Sequence, residues 1–400
     1  MTALDSLFGP PGMAGFRDEV YGRTYRVFTG DGDRFENLFG WNALNEVLSA
    51  HRLDSLSLQL MREGMLVPED TYSTSTVWSR RSWQRVRPAA VLANLRDGAT
   101  LRLREVQNLS KPVRELASTL ERELRERVQV NAYATVHDVP GTELHWDDHD
   151  VLILQVSGSK RWSLHGQREP KPYAGEYLDL DRPAGDPVAD IVLQQGEALY
   201  LPRGWWHLVR ASAGPSLHLT FGIYRPTGVD LLDWLTRRLR AHDMFRADLP
   251  HWSDEAAQQE YAAAVSELVV AALAEPRLVE QLYAERDAAA DLEPGYLLPY
   301  AAMTEPALLP DGATRLRLTA RRSVVELDGD QLVLRAGGET WRYPVGLAPV
   351  LTLLAGGRSA TITDLVSTGS GAMAAGEVEQ ALADLLRAGL VTAEQHQSGG

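Results

Sequence analysis

The 400-residue sequence contains no cysteine. That absence removes disulfide bridges, cysteine zinc sites, iron–sulfur clusters and thiol nucleophiles together, and it suits a reducing, cytoplasmic setting. Any bound metal must then be held by histidine, aspartate or glutamate. Nowhere is there a run of the roughly 18 apolar residues that a membrane helix requires. The most apolar stretch, "ELVVAALAEPRLVEQL", is interrupted by Glu and Pro and reads as an amphipathic helix. The opening "MTALDSLFGPPGMAG" lacks the basic and apolar regions of a secretory signal, so neither export nor a membrane partner is expected. Positive charge is also scarce. There are 40 Lys and Arg against 54 Asp and Glu, a net charge of −14, which disfavours broad adhesion to nucleic acid. Low-complexity tracts and internal repeats are missing too. At 44% hydrophobic and 24% charged residues, what remains is an ordinary globular composition, long enough for two or three domains.

Residues 1–226 read as a mainly β domain with an N-terminal elaboration of short helices and strands. "WNALNEVLSAHRL" has a helical period, "ATLRLREV" alternates as a strand, and "KPVRELASTLERELRERV" is a charged amphipathic helix. Short strands then follow between turn residues: "VQVNAYATV", "LHWDDHDVLILQV", "KRWSLHG", "IVLQQ", "EALYLP", "WHLVRAS" and "SLHLTFGIY". That density of strands indicates a barrel or sandwich. Residues 227–300 turn helical, with the second helix opening near Ser253. Residues 301–400 combine strands, turned at Asp328-Gly329-Asp330 and Gly337-Gly338, with three helices and a closing strand, which suggests a winged-helix-like module. Its 11 acidic and 8 basic side chains favour protein docking or a structural role over DNA reading.

The polar stretch "GTELHWDDHD" at 141–150 admits two metal sites. A helix would pair His145 with His149; a strand would pair His145 with Asp147. Pro140 and Gly141 precede the stretch and the β-branched run "DVLILQV" follows it, so a strand is expected. Four residues of strand span about 13 Å, which separates His145 from His149, whereas alternate residues share a face. The helical zinc-protease pattern also needs Glu after the first His, where Trp146 stands. A third ligand comes from "GEALYLPRGWWH", whose Pro-Gly turn leads back to His207. Two histidines and a carboxylate on one side of an octahedral metal suit non-haem Fe(II), leaving adjacent positions for a chelating cosubstrate and O2. Alternation in "VNAYATVH" sets Asn131, Tyr133, Thr135 and His137 on one face. In "SLHLTFGI" it does the same for Ser216, His218 and Thr220. If the apolar faces pack outward, these polar faces line the lumen.

Together these residues resemble the JmjC-type, cupin-like oxygenases that use Fe(II) and 2-oxoglutarate, and among them the ribosomal oxygenase branch. The resemblance is carried by His145-x-Asp147, a basic residue fifteen positions after that histidine and His207 sixty-two after it, within "VQVNAYATVHDVPGTELHWDDHDVLILQVSGSKRWSLHG" and "ALYLPRGWWHLVRAS". It implies a double-stranded β-helix (jelly-roll) core, a helical dimerisation region, hence a homodimer, and a winged-helix-like C-terminus. It also implies that His145, Asp147 and His207 hold Fe(II). Lys160 would pair with the distal carboxylate of 2-oxoglutarate, and Tyr133, Asn131 and Ser216 would contact or surround that cosubstrate. Trp146, Asp148, His149, Trp205 and His218 are candidates for the substrate pocket, with Asp150 and Trp206 beside them. A rim bearing Asp148 and Asp150 would suit a cationic side chain.

The implied activity is hydroxylation of a protein or peptide side chain at its β-carbon. One alternative is a tailoring hydroxylase of a biosynthetic precursor peptide or a free amino acid. Another is a metal-binding cupin without 2-oxoglutarate chemistry, against which Lys160 stands in register.

Overall fold

The alternating stretches become antiparallel strands in the computed structural model, which describes residues 3–394 except 11, 79–80, 138–142, 169–170, 174, 177–183, 212–213 and 304–308. The chain divides into two compact units. One comprises residues 1–121 and 126–225; the other comprises 122–125 and 226–400.

The first unit is built on two facing sheets. The larger runs Arg26–Phe28, Ala198–Leu201, Asp150–Ser157, Ser216–Tyr224, Arg127–Thr135, Thr100–Leu103, Leu58–Arg62 and Met65–Leu66 in spatial order. The smaller runs Ala189–Leu193, Lys160–Gln167 and Trp205–Ala211. From Asp150 to Tyr224 the chain passes back and forth between them, the winding of a cupin-like double-stranded β-helix. Val151, Ile153, Leu199 and Leu201 of one sheet pack with Trp162, Leu164, Leu193 and Val209 of the other. The outward-facing Val128, Val130, Leu217, Leu219, Phe221 and Ile223 are also buried. Burial on both faces explains why strands such as "DVLILQV" are apolar throughout.

Where a neighbouring strand ends, side chains take over its hydrogen bonds. Thr100–Leu103 pairs with the 132–134 stretch of Arg127–Thr135. Beyond it, the N–H groups of Val130 and Val128 donate to Gln107 Oε1 (2.9 Å) and Glu121 Oε1 (2.8 Å). These buried acceptors keep the strand regular through Gln129 and Asn131.

One expectation fails here. The segment read as a strand from Leu144 enters the sheet only at Asp150, and before it His145 forms a single bridge to His207. The distance argument built on an extended 145–149 segment therefore does not apply. The Pro140-Gly141 turn lies outside the described residues. Asp150 is not a rim residue either. It is fully buried and accepts from Tyr200 Oη (2.5 Å), the Arg203 N–H (2.8 Å) and Arg225 Nη1 (3.4 Å). This knot fixes the start of its strand against the 198–204 stretch.

In the second unit, Gly228–Leu239, Glu255–Leu273 and Leu278–Ala288 are helices. Trp234, Leu235, Leu278 and Leu282 form a small core. The middle helix starts one residue later than expected, with Asp254 rather than Ser253 as cap; its carboxylate accepts from the Ala257 N–H at 2.9 Å. A larger core gathers Leu316, Leu332 and Leu334 from two three-stranded sheets with Val350, Leu365 and Leu382 from three helices, Ala348–Ala355, Ile362–Gly369 and Ala375–Arg387. Asp287 is buried between Arg125 (2.7 Å) and Arg322 (3.0 Å).

Removing the carboxylate in D150A strands Arg225 and Tyr200. A loss of about 3–5 kcal/mol is expected, or roughly a 10 °C fall in the melting point of a unit this size. Thermal unfolding followed by circular dichroism checks it.

Candidate metal centre and cofactor pocket

Three backbone devices bring the metal-binding residues together. The His145 N–H donates to the His207 carbonyl (3.1 Å) and the His207 N–H donates back to the His145 carbonyl (2.8 Å). The Gly204 N–H donates to the Asp147 carbonyl (2.8 Å). Gly204 has φ +78°, and a Cβ there would lie 2.6 Å from Pro172 Cδ, so the turn before His207 requires glycine. A register shift between Trp205 and His207 re-aims the strand at this point.

The imidazole centroids of His145 and His207 lie 4.3 Å apart, and His207 Nε2 is 3.7 Å from Asp147 Oδ2. One donor atom from each of His145, Asp147 and His207 falls within 4.8 Å of the others. Each histidine places Nδ1 at 2.8 Å from a carbonyl two residues earlier, Glu143 and Trp205. A carbonyl only accepts, so both Nδ1 atoms carry hydrogen and both Nε2 lone pairs face the cluster. Burial, followed by the charge of His145, lowers His207 to about 4, which keeps it a neutral donor. Burial would raise Asp147, but His149, His145 and His207 hold it below its ordinary value. Two bare imidazole nitrogens and an ionised carboxylate on one side of an open cavity fit Fe(II).

That cavity, about 320 Å³, lies between the sheets. Lys160 enters it from the smaller sheet, 3% exposed, and donates to Thr135 Oγ1 at 3.2 Å; Thr135 also hydrogen-bonds Thr100 (3.1 Å). Burial alone lowers Lys160 to about 7. Tyr133 stacks on buried His218, centroids 4.9 Å apart. His149 lies over Gly222, where a Cβ would come within 2.8 Å of its ring, and stacks on Tyr224. Burial depresses His149, but its 2.8 Å hydrogen bond with Asp148 and the charge of Asp147 raise it overall.

The residues expected around the metal separate into two groups. Asn131, Tyr133, His145, Asp147, His149, Lys160, His207 and His218 all line the cavity. Ser216, Trp146, Asp148 and Trp205 do not. Ser216 is fully buried and accepts from Gln155 Nε2 (2.9 Å). Trp146 packs on Trp206 and under Arg168, and Trp205 packs on Tyr25. Asp148 is held by His149 and by the Gly175 N–H. With Asp150 buried as well, the acidic rim expected to suit a cationic substrate loses its basis. Sequence reading passed over Arg102, Arg104, Gln129, Trp162 and Tyr224 in the cavity wall. The alternation of "LRLR" could have indicated the two arginines.

Residues 103–231 match the JmjC domain family. The chain carries a JmjC domain. The JmjC domain holds all three members of the His–Asp–His cluster and Lys160. Over 224 residues (56% of this chain, 23% of the relative) the protein is 27% identical to a bifunctional lysine-specific demethylase and histidyl-hydroxylase NO66 of Drosophila pseudoobscura pseudoobscura. Over 147 residues (35% of this chain, 24% of the relative) it is 32% identical to ribosomal oxygenase 1 of Gallus gallus. The chain thus spans about a quarter of the length of these two curated relatives. The structure of Escherichia coli ycfD superposes with a TM-score of 0.60 at 17% identity, covering 95% of this chain and 98% of that one. A YcfD structure in complex with cobalt and 2-oxoglutarate gives 0.57 at 17% identity, covering 96% and 98%. These two likenesses are of fold. They include the JmjC domain and extend over most of the chain.

H145A, D147A and H207A are each expected to weaken Mn(II) binding at least about 100-fold. H149A, which removes a neighbour outside the donor cluster, should change it by no more than about tenfold. Electron paramagnetic resonance of free Mn(II) reads both.

Proposed function

We propose that the protein is an Fe(II)- and 2-oxoglutarate-dependent dioxygenase that hydroxylates a protein or peptide side chain. In this reaction R–H, O2 and 2-oxoglutarate give R–OH, succinate and CO2. The observation that carries the reading is Lys160, a buried amine with no carboxylate partner among the described residues, in the same cavity as the His145–Asp147–His207 cluster. A lysine in that position is unfavourable unless an anion completes it. 2-Oxoglutarate supplies one end for the lysine and another for the metal.

When bound, the ferrous ion would activate O2 with electrons released by cosubstrate decarboxylation. The chain's own residues do the rest. His145, Asp147 and His207 would occupy one side of the ion, and Lys160, braced by Thr135, would take the distal carboxylate. Asn131 and the Tyr133–His218 stack would fix its orientation, while Trp162 and Val209 would keep that end of the cavity dry. Positioning and exclusion of water, rather than an acid–base pair, are what such chemistry demands of a protein.

Several finer features belong to this reading. The named activities of the curated relatives support a side-chain target, and β-carbon hydroxylation is the form we favour over tailoring of a precursor peptide or free amino acid. A cupin without the cosubstrate would leave Lys160 uncompensated. The helix Glu255–Leu273 has no buried residue despite its apolar composition, which supports a helical dimerisation region and a homodimer. The 301–400 unit, with three helices and three-stranded sheets, supports a winged-helix-like module that docks protein rather than nucleic acid. No described helix is long and apolar enough to cross a membrane, and the cysteine-free sequence supports a cytoplasmic setting.

Anaerobic addition of Fe(II) and 2-oxoglutarate should produce the visible charge-transfer band of chelated cosubstrate, and H207A should abolish it. No band, together with no succinate under air, would sink the proposal. K160A should weaken 2-oxoglutarate binding about 100-fold while sparing metal binding.

Protonation provides a further check. With Lys160 near 7 in the free protein, most of it is neutral at pH 8, and pairing with a carboxylate raises it. Binding at pH 8 should therefore take up a proton, an uptake that fades at pH 6 and is missing in K160A. Calorimetry in buffers of different ionisation enthalpy measures it.

A further inference from the structure

We infer that this pocket selects a substrate bearing a carboxylate, recognised by Arg102 and Arg104. The inference rests on the hydroxylase reading and narrows its substrate class. Arg102 lies directly opposite Tyr133 in the register of the two strands, and alternation sets Arg104 on the same face. Both side chains are half-buried and line the cavity that holds the metal-binding cluster.

Neither arginine makes an ion pair among the described residues. Arg102 donates from Nε (2.9 Å) and from Nη2 to the neutral Gln59 Oε1 and hydrogen-bonds Tyr133, which engages one edge of its guanidinium without neutralising it. Arg104 reaches only the Leu56 carbonyl, at 3.5 Å. The contrast with Arg125, Arg225 and Arg322 is plain, since each of those finds a buried or half-buried carboxylate. Among the described residues, the single carboxylate lining the cavity is Asp147, and it belongs to the metal cluster.

Charge balance then indicates what is missing. With metal and cosubstrate in place, the ion and Lys160 offset Asp147 and the dicarboxylate. Arg102 and Arg104 remain in the wall with no counter-charge among the described residues. A half-buried guanidinium fork is matched by a planar carboxylate, which accepts two parallel hydrogen bonds. A lysyl or arginyl side chain would instead meet like charge there. The carboxylate can come from an acidic residue of a peptide or from a free acidic amino acid, and the chemistry is the same for both.

The test ranks ligands on full-length protein loaded with Mn(II) and saturating 2-oxoglutarate, so that no turnover occurs and the Lys160 site is filled. The ligands are capped pentapeptides with a central glutamate, glutamine or arginine, and free glutamate and glutamine; the readout is quenching of tryptophan fluorescence. A glutamate ligand should bind at least about tenfold tighter than its glutamine counterpart, and the arginine peptide weakest of all. Which glutamate arm binds identifies the source. R104E should reverse the order of the glutamate and arginine peptides, a gain that misfolding cannot produce. Equal affinities in the wild type, or preference for the arginine peptide, overturn the inference, as does a glutamate preference unchanged in both R102Q and R104E. The anaerobic charge-transfer band tests the hydroxylase reading independently, so the two can fail separately.

Discussion

The reciprocal pair of backbone hydrogen bonds between His145 and His207 is the constraint on which the site depends. It joins an irregular segment to a strand more than sixty residues later in the sequence. Because each residue both donates and accepts, the two backbones have little freedom to slide. Their side chains then arrive within reach of one metal, His207 from the start of a strand and His145 from a segment that is neither helix nor strand. Carbonyls two residues upstream hold Nδ1 of each ring, so backbone and side-chain bonds specify the same orientation.

Around that clamp, the fold separates dry packing from charge. The outward faces of the strands are apolar and buried, and the inward faces change from an apolar cluster to a polar cavity. Lys160, buried in that cavity, donates to Thr135, which in turn bonds Thr100, and meets no carboxylate among the described residues. On the opposite wall, Arg102 and Arg104 likewise face the cavity without an ion-pair partner among the described residues.

Much of this was legible in the sequence because strand alternation has a short, strict period. Asn131, Tyr133, His218 and Thr220 could be assigned to one face from their spacing alone, and the His145, Asp147 and His207 spacing is distinctive. What the sequence could not show was where strand geometry begins. The residues from Leu144 to His149 have strand-like neighbours but take their shape from contacts with the 204–207 turn. The fate of the acidic residues was also hidden. Asp148 and Asp150 look alike in a string of letters, yet one is bonded to an adjacent histidine and the other is buried under Tyr200 and Arg225. Trp146 and Trp205 pack away from the cavity, while Trp162, in a strand that attracted less notice, lines it. Such choices are made by tertiary packing, which local pattern does not encode.

The ion-pair cluster at Asp287 bears on how the chain can be divided. Asp287 is compensated by Arg322, 35 residues after it, and by Arg125, which precedes it by 162 residues. Arg322 also donates to the Arg125 carbonyl at 3.1 Å. The unit that follows residue 226 therefore contains four residues synthesised long before the rest of it. Severing the polypeptide at that apparent boundary would not yield two self-contained pieces. The downstream fragment would carry a buried aspartate short of one cation, and the upstream fragment would keep an arginine whose counter-charge had gone with the other half.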